Sequence, residues 1–303
     1  MGLESAARMG RDAIKGEASC DHSGAKLDAV MTTIQWRNGI WEESAFLEAT
    51  QQVLTGQGVF ETILVKENVP QFLDLHLARL RNSSEILGIP TPELEIIKVG
   101  LRQLLVTQKR DLGRLRITIF GGTPHPQLML SLVDMDPWPP SARVNVSPWI
   151  RNVNSAITGA KTASYAENAV ALMWAKEKGF CETLFFNSFG HLAEAATCNI
   201  AIVIDGGVFT PPLRSGCLPG ITRQVLLEMD AIREVDIDIN LLNSSAAAAL
   251  LSSTRGVQPI NAIGERELDL TDEILLKLAE VYEARAAEDK ENWAGLPQEF
   301  RPV

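Results

Sequence analysis

Apolar and polar positions divide the chain into two runs of strands and helices, separated by a proline-rich break. A strand-like stretch, Thr32–Trp36, enters a hairpin at Trp36–Trp41 whose turn is Asn38-Gly39. Gly56–Val65 reads as a loop entering a strand, and a turn at Glu67-Asn68 returns into Pro70–Leu73. From Asp74 the period becomes helical. Leu75, Leu80, Ile86 and Leu87 form an apolar stripe that Gly88 stops. A second helix is predicted near Pro92–Thr107, then strands at Leu115–Phe120 and Leu128–Val133 around a Gly-Gly-Thr-Pro loop.

Asp136-Pro137-Trp138-Pro139-Pro140 continues neither a helix nor a central strand, so the domain boundary is placed there. Beyond it, strands are predicted at Arg143–Val146, Thr183–Asn187 and Asn199–Ile204. Helices are predicted at about Tyr165–Lys178, Ile221–Met229, Leu242–Leu250 and Asp272–Glu288. Ser252-Ser253-Thr254 reads as a short polar turn, and the class as α+β with a mostly antiparallel flavour.

Composition narrows the choices. A length of 303 residues, 46% hydrophobic and 22% charged, allows two domains and a large core. A formal net charge of −10 disfavours nucleic acid as a partner but leaves room for a small anionic ligand. Cys20, Cys181, Cys198 and Cys217 contain no CxxC pair, and His22, His76, His125 and His191 are scattered. No metal site is expected, and reduced thiols fit a cytoplasmic protein. No apolar run reaches the roughly 18–20 residues of a membrane span. Residues 1–31 are expected to form an N-terminal extension without a signal-peptide core, with Met31 a candidate start.

Several loops deliver candidate chemistry. Lys161 follows Gly159-Ala160 before a helix. A lone lysine is ordinarily a surface charge, but one with a lowered pKa attacks carbonyls. Glu194 is a single acid among small residues; it suits either a strand end or a partner for a cationic ring nitrogen. Arg79 lies three residues after His76, on one helix face. Leu218-Pro219-Gly220-Ile221-Thr222-Arg223 runs a loop into a helix start, where free N–H groups suit a phosphate, and Ser253 and Thr254 add hydroxyls.

Taken in order, His76-x-x-Arg79-Leu80, Lys161-Thr162-Ala163-Ser164-Tyr165, Glu194-x4-Asn199, Thr210-Pro211, Leu218–Arg223 and Ser252-Ser253-Thr254 closely resemble the class IV aminotransferases. That family has pyridoxal 5′-phosphate (PLP) fold type IV. It includes branched-chain and D-amino acid aminotransferases, (R)-selective amine transaminases and aminodeoxychorismate lyases. The resemblance covers about Ile34 to Leu268. It implies a small N-terminal α/β domain (32–136), a linker (137–142) and a larger C-terminal pseudo-barrel domain (143–303) that binds PLP. It also implies a homodimer with its site between domains, close to the partner subunit.

Residue by residue, the resemblance implies that Lys161 holds the cofactor as a Schiff base and shuttles the substrate proton. Glu194 would pair with the pyridine nitrogen. Arg79 would bind the phosphate with the backbone N–H groups of Ile221 and Thr222 and the hydroxyl of Thr254; Asn199 and Ser253 belong to the same cofactor set. Tyr165 would lie on the O3′ side of the ring.

The reaction stays open. Phe60-Glu61-Thr62 and Arg255-Gly256-Val257-Gln258-Pro259 look lyase-like, whereas Phe120 stands where lyase and D-amino acid members carry a carboxylate-binding arginine. Arg116, sharing a strand face with Arg114, is a candidate substitute. Arg255 is another, and Thr62 a further substrate contact; strand-edge charge is the alternative for Arg114 and Arg116. The first expectation is a transaminase acting on an amino acid or amine and a 2-oxo acid acceptor. The second is an aminodeoxychorismate lyase releasing pyruvate and 4-aminobenzoate. The third is a non-catalytic binder on the same scaffold.

Overall fold

The computed structural model describes residues 32–37, 40–43, 47–122 and 126–293. In the first half, period-two alternation builds a six-stranded sheet from β1 (Thr32–Arg37), β2 (Ile40–Glu43), β3 (Gly58–Lys66), β4 (Val69–Pro70), β5 (Leu112–Phe120) and β6 (Gln127–Asp134). Their order is β2-β1-β6-β5-β3-β4, and every pairing is antiparallel. A short α1 (Gln51–Leu54) precedes β3, and α2 (Leu73–Ile86) and α3 (Leu94–Thr107) follow β4. One face of the sheet, with Ile63, Leu115, Ile117 and Leu130, packs on Leu77, Leu80, Ile97 and Leu101 of these two helices. The opposite face, carrying Phe60, Thr62, Arg114 and Arg116, turns toward a cavity.

The expected hairpin is present as the pairs Trp36↔Trp41 and Arg37↔Ile40. Its turn residues Asn38 and Gly39, and the expected extension 1–31, lie outside the described residues. Glu67 and Asn68 both have positive φ (52° and 64°), the tight-turn geometry that twists β3 into β4. The return strand expected over Pro70–Leu73 is cut short. Phe72 sits in the left-handed region (φ 51°) and donates its N–H to the Asp289 carboxylate at 2.7 Å instead of to a sheet partner.

The second half forms a curled mixed sheet. Its strands are β7 (Ala142–Arg151), β8 (Glu182–Asn187), β9 (Leu192–Ala195), β10 (Asn199–Ile204), β11 (Gly207–Thr210), β12 (Arg233–Glu234), β13 (Ala247–Ser252), β14 (Gly256–Ile263) and β15 (Arg266–Glu267). The order is β12-β11-β10-β13-β14-β7-β8-β9, with β15 beside β14. Three pairings, β11/β12, β14/β7 and β7/β8, are parallel. Its helices are α4 (Ala166–Glu177), α5 (Ile221–Glu228), α6 (Ile239–Ser244) and α7 (Glu273–Glu291).

The helix expected at Leu242–Leu250 is a misreading. Only Ile239–Ser244 is helical, and Ala247–Ser252 is an interior strand between β10 and β14. Ala247, Ala249 and Leu251 pack against α5 and α7, while Ala248 and Leu250 pack on the other face with Ile200 and Ile202. A strand buried on both faces has no alternation to reveal it, so its apolar run imitates a helix.

The two halves are joined beside Lys161. β4 covers only Val65 and Lys66, so the Gly58 end of β3 is free to accept another segment. Residues 161–163 fill it: Phe60 N donates to Lys161 O at 2.9 Å, and Ala163 N donates to Gly58 O at 2.7 Å. No helix of the described residues is long and apolar enough to cross a membrane.

Candidate active site

A cavity of about 590 Å³ lies between the two sheets. It gathers residues far apart in the chain: Arg79, Lys161, Tyr165, Glu194, Asn199, Ile221, Ser253 and Thr254, together with Thr62, Arg116 and Arg255. Thr222 is the expected site residue that does not line it; its hydroxyl turns away and donates to the Tyr282 hydroxyl at 3.3 Å.

Lys161 is fixed through its backbone, which accepts from Phe60 and donates to Ser83 Oγ at 3.1 Å. Its Nζ lies 4.6 Å from the centroid of the Phe60 ring. Burial, and then the positive charge of Arg79, bring its ammonium down to about 8. About a tenth of the amine is therefore unprotonated at pH 7, far more than for an ordinary lysine, and the free amine is what attack on a carbonyl requires.

Arg79 is held in a buried cluster. Its Nε and Nη2 donate to the two carboxylate oxygens of Glu61 at 2.8 and 2.6 Å, and its Nη1 donates to Pro219 O at 3.0 Å. His76 Nδ1 lies 2.7 Å from Glu61 Oε2. Burial alone pushes the Glu61 carboxyl up, but Arg79 and His76 outweigh it and bring it to about 2. An ionised Glu61 only accepts, so the imidazole proton sits on Nδ1. Burial also pushes His76 down, keeping it neutral. Its Nε2 is buried with no hydrogen-bond partner among the described residues.

The second sheet supplies the opposite wall. Glu194, on β9, accepts from Leu218 N at 2.9 Å, and Arg151 Nη2 stands 3.4 Å from its other oxygen. Burial pushes the Glu194 carboxyl up, while Arg151 and the Leu218 N–H pull it back. Asn199 Nδ2 donates to Leu218 O at 2.9 Å. The Leu218–Gly220 loop is thus clamped from both sides before α5. A Cβ at Gly220 would fall 1.9 Å from Asn199 Oδ1, so this approach requires glycine. Helix α5 starts without a side-chain cap, leaving backbone donors at its first turn, where Gly220 and Ile221 line the cavity. Tyr165 donates its hydroxyl to Ala196 O at 3.1 Å and meets Phe60 edge-on at 5.5 Å.

Arg114 and Arg116 are not strand-edge charges. β5 lies between β3 and β6, and both arginines line the cavity. Arg116 stacks over Phe60 at 3.8 Å and pairs across the strands with Thr62. Arg255 is engaged elsewhere. It stacks on Trp138 at 3.7 Å, donates to Gln258 Oε1 at 2.7 Å and reaches Glu182 Oε1 at 3.5 Å.

Glu61, Ser83, Arg151 and Glu182 escaped the sequence reading as site components. Glu61 had a legible signal, because it shares the strand face of Val59 and Ile63, where a lone acid must find a buried partner. Ser83 and Arg151 had none, since each matters only through a segment distant in sequence.

The profile of the family described as amino-transferase class IV matches residues 58–263. The chain belongs to that family. The match runs from the start of β3 to the end of β14, so it holds both walls of the cavity. Class IV relatives include the bifunctional aminodeoxychorismate lyase / D-amino acid transaminase of Mycobacterium tuberculosis, 27% identical over 78% of this chain and 91% of that protein. A branched-chain-amino-acid aminotransferase of Pseudomonas aeruginosa is 28% identical over 65% of this chain and 70% of its own length. Among solved structures, an aminotransferase from Brucella abortus bound to the cofactor PLP matches with a TM-score of 0.75 and 26% identity, covering 84% of this chain and 99% of that one. As a class IV member the chain is an enzyme of the transaminase-or-lyase kind with the fold type IV architecture.

Proposed function

We propose that this protein holds PLP on Lys161 and transfers an amino group between an amino acid or amine and a 2-oxo acid. The observation that carries this reading is the convergence, on one cavity, of an amine lowered to about 8, a buried acid and an uncapped helix start beside Arg79. The donor set fits the cofactor. Arg79, the backbone N–H of Ile221 and the hydroxyls of Ser253 and Thr254 line the cavity and suit a phosphate, and the N–H of Thr222 follows in the same uncapped first turn of α5. Glu194 suits a protonated ring nitrogen, and Tyr165 suits the O3′ side. Asn199 acts through Leu218, keeping the loop before α5 in place.

When bound, the cofactor supplies an electron sink for the carbanion left at the substrate Cα. Lys161 takes up and returns the Cα proton. Arg116, stacked on Phe60 beside Thr62, orients a substrate carboxylate. Arg255, held by Glu182, Gln258 and Trp138, shapes the adjoining wall. The boundary between an N-terminal domain (32–136) and a C-terminal domain (143–303) falls in the strap pinned by Gln258, whose Nε2 donates to Pro139 O at 2.7 Å. The chain is proposed to pair as a homodimer, for which Trp149 and Ile150 of β7 and Val170 and Met173 of α4 offer exposed apolar side chains. The enzyme is placed in the cytoplasm.

A lyase reading is kept because the mycobacterial relative is named for both reactions. Two measurements decide. The purified protein should show the visible absorption of lysine-bound PLP, and Lys161→Ala should abolish it. An amino donor given without acceptor should then convert the cofactor to its amine form. Pyruvate release from aminodeoxychorismate, with no such conversion across a broad donor panel, selects the lyase. A protein that cannot be loaded with PLP ends both readings.

A further inference from the structure

Tyr282 lies on α7, outside the cavity, with only 2% of its surface exposed. Three elements that face the cavity meet behind it. Its hydroxyl accepts from Thr222 Oγ1 at 3.3 Å, at the first turn of α5. Its ring backs the turn after Thr254: a Cβ at Gly256, where φ is +63°, would lie 3.2 Å from Tyr282 Cε1. Its ring also meets Phe72, the residue that starts α2, at a centroid distance of 5.9 Å. Helix α2 carries Arg79, and Asp289 of α7 binds the Phe72 N–H. One helix therefore sets the relative positions of Arg79, the α5 start and the Ser253-Thr254 turn.

We propose that Tyr282 is the positioning residue of the phosphate cup, orienting the α5 start through Thr222 and the Ser253–Gly256 turn through its ring. The inference rests on the reading that PLP binds in this cavity. The group is buried, so its hydrogen bond is not exchanged for one to water when lost, and the donors it aligns act together on one anion.

The test uses full-length apo-protein titrated with PLP and, separately, with pyridoxal, which lacks the phosphate. Tyr282→Phe keeps the ring and removes the hydroxyl. It should weaken PLP binding about 3- to 10-fold, the worth of one net hydrogen bond, and leave pyridoxal binding unchanged. Thr222→Ala should give a similar loss, and the double variant no further one. Unchanged PLP affinity in Tyr282→Phe overturns the proposal, as does an equal loss for PLP and pyridoxal, which marks a merely structural role. If the wild type binds PLP and only this variant behaves normally, the cofactor reading stands alone. If the wild type binds no PLP, both fall together.

Discussion

Two arginines face the same cavity from neighbouring strands and helices, and their surroundings differ sharply. Arg79 is clasped by the buried Glu61 carboxylate, which His76 also binds. Arg116 has no carboxylate partner among the described residues and lies on the Phe60 ring instead. The difference begins with β3, where consecutive residues point to opposite faces: Glu61 goes to α2 and Phe60 to the cavity. A neutralised, triply bonded arginine is a fixed donor that adds little net charge. A stacked arginine keeps its full charge and its fork of donors for a ligand. The first arrangement suits a permanent occupant, the second a substrate that comes and goes.

The comparison breaks most severely at Glu61. Glu61→Gln leaves Arg79 in a buried site without its counter-charge and should cost about 3–5 kcal/mol in chemical denaturation. An unchanged midpoint would mean that the cluster is not what steadies Arg79. Acid should expose the same group. The folded carboxyl is depressed to about 2 from an ordinary 4.5, so its contribution is complete above the unfolded value and is lost as pH falls toward 2. Denaturation at stepped pH should show a loss on the order of 3 kcal/mol in the wild type that Glu61→Gln lacks.

Arg116→Ala should leave folding stability nearly unchanged yet raise KM for a carboxylate-bearing donor by roughly 10- to 100-fold, the worth of a charged hydrogen bond. Arg116→Lys should recover only part, because it lacks the fork. A variant with normal KM for carboxylates but poor stability would reverse the roles assigned to the two arginines. The smallest effect is expected for Phe60→Leu, which removes the ring under Arg116. Loss of a cation–π contact of about 0.5–1 kcal/mol should raise the same KM only two- to five-fold. Because Lys161 also lies over Phe60, the pH midpoint of PLP loading, expected near 8, is the second readout for this variant.

Much of this was legible beforehand. The span of α2, the β5 and β6 pair, the Asn199–Ile204 strand and the α5 start lie where period and turn residues placed them. They are amphipathic or bounded by turn residues, so local physics suffices. The α2 stripe does not lie where it was expected: Ile86 is exposed, and Leu73, Leu77 and Leu80 form the buried apolar face. The strand Ala247–Ser252 was read as helix because both of its faces are buried. The gathering of most expected site residues around one cavity was anticipated from motif order, whereas the turning away of the Thr222 side chain was not, since its partner Tyr282 is 60 positions distant.

By itself, then, the sequence determined the family, the class of fold and the set of residue types available to bind a phosphate, a ring nitrogen and an amine-reactive carbonyl. Those properties reside in local patterns and in their order. Only the tertiary structure decided that Glu61 neutralises Arg79, that Glu182 occupies Arg255, that Arg116 remains open to the cavity and that Tyr282 stands behind the first turn of α5. Charge and availability depend on which distant groups burial brings within a few ångströms, and no local pattern contains that information.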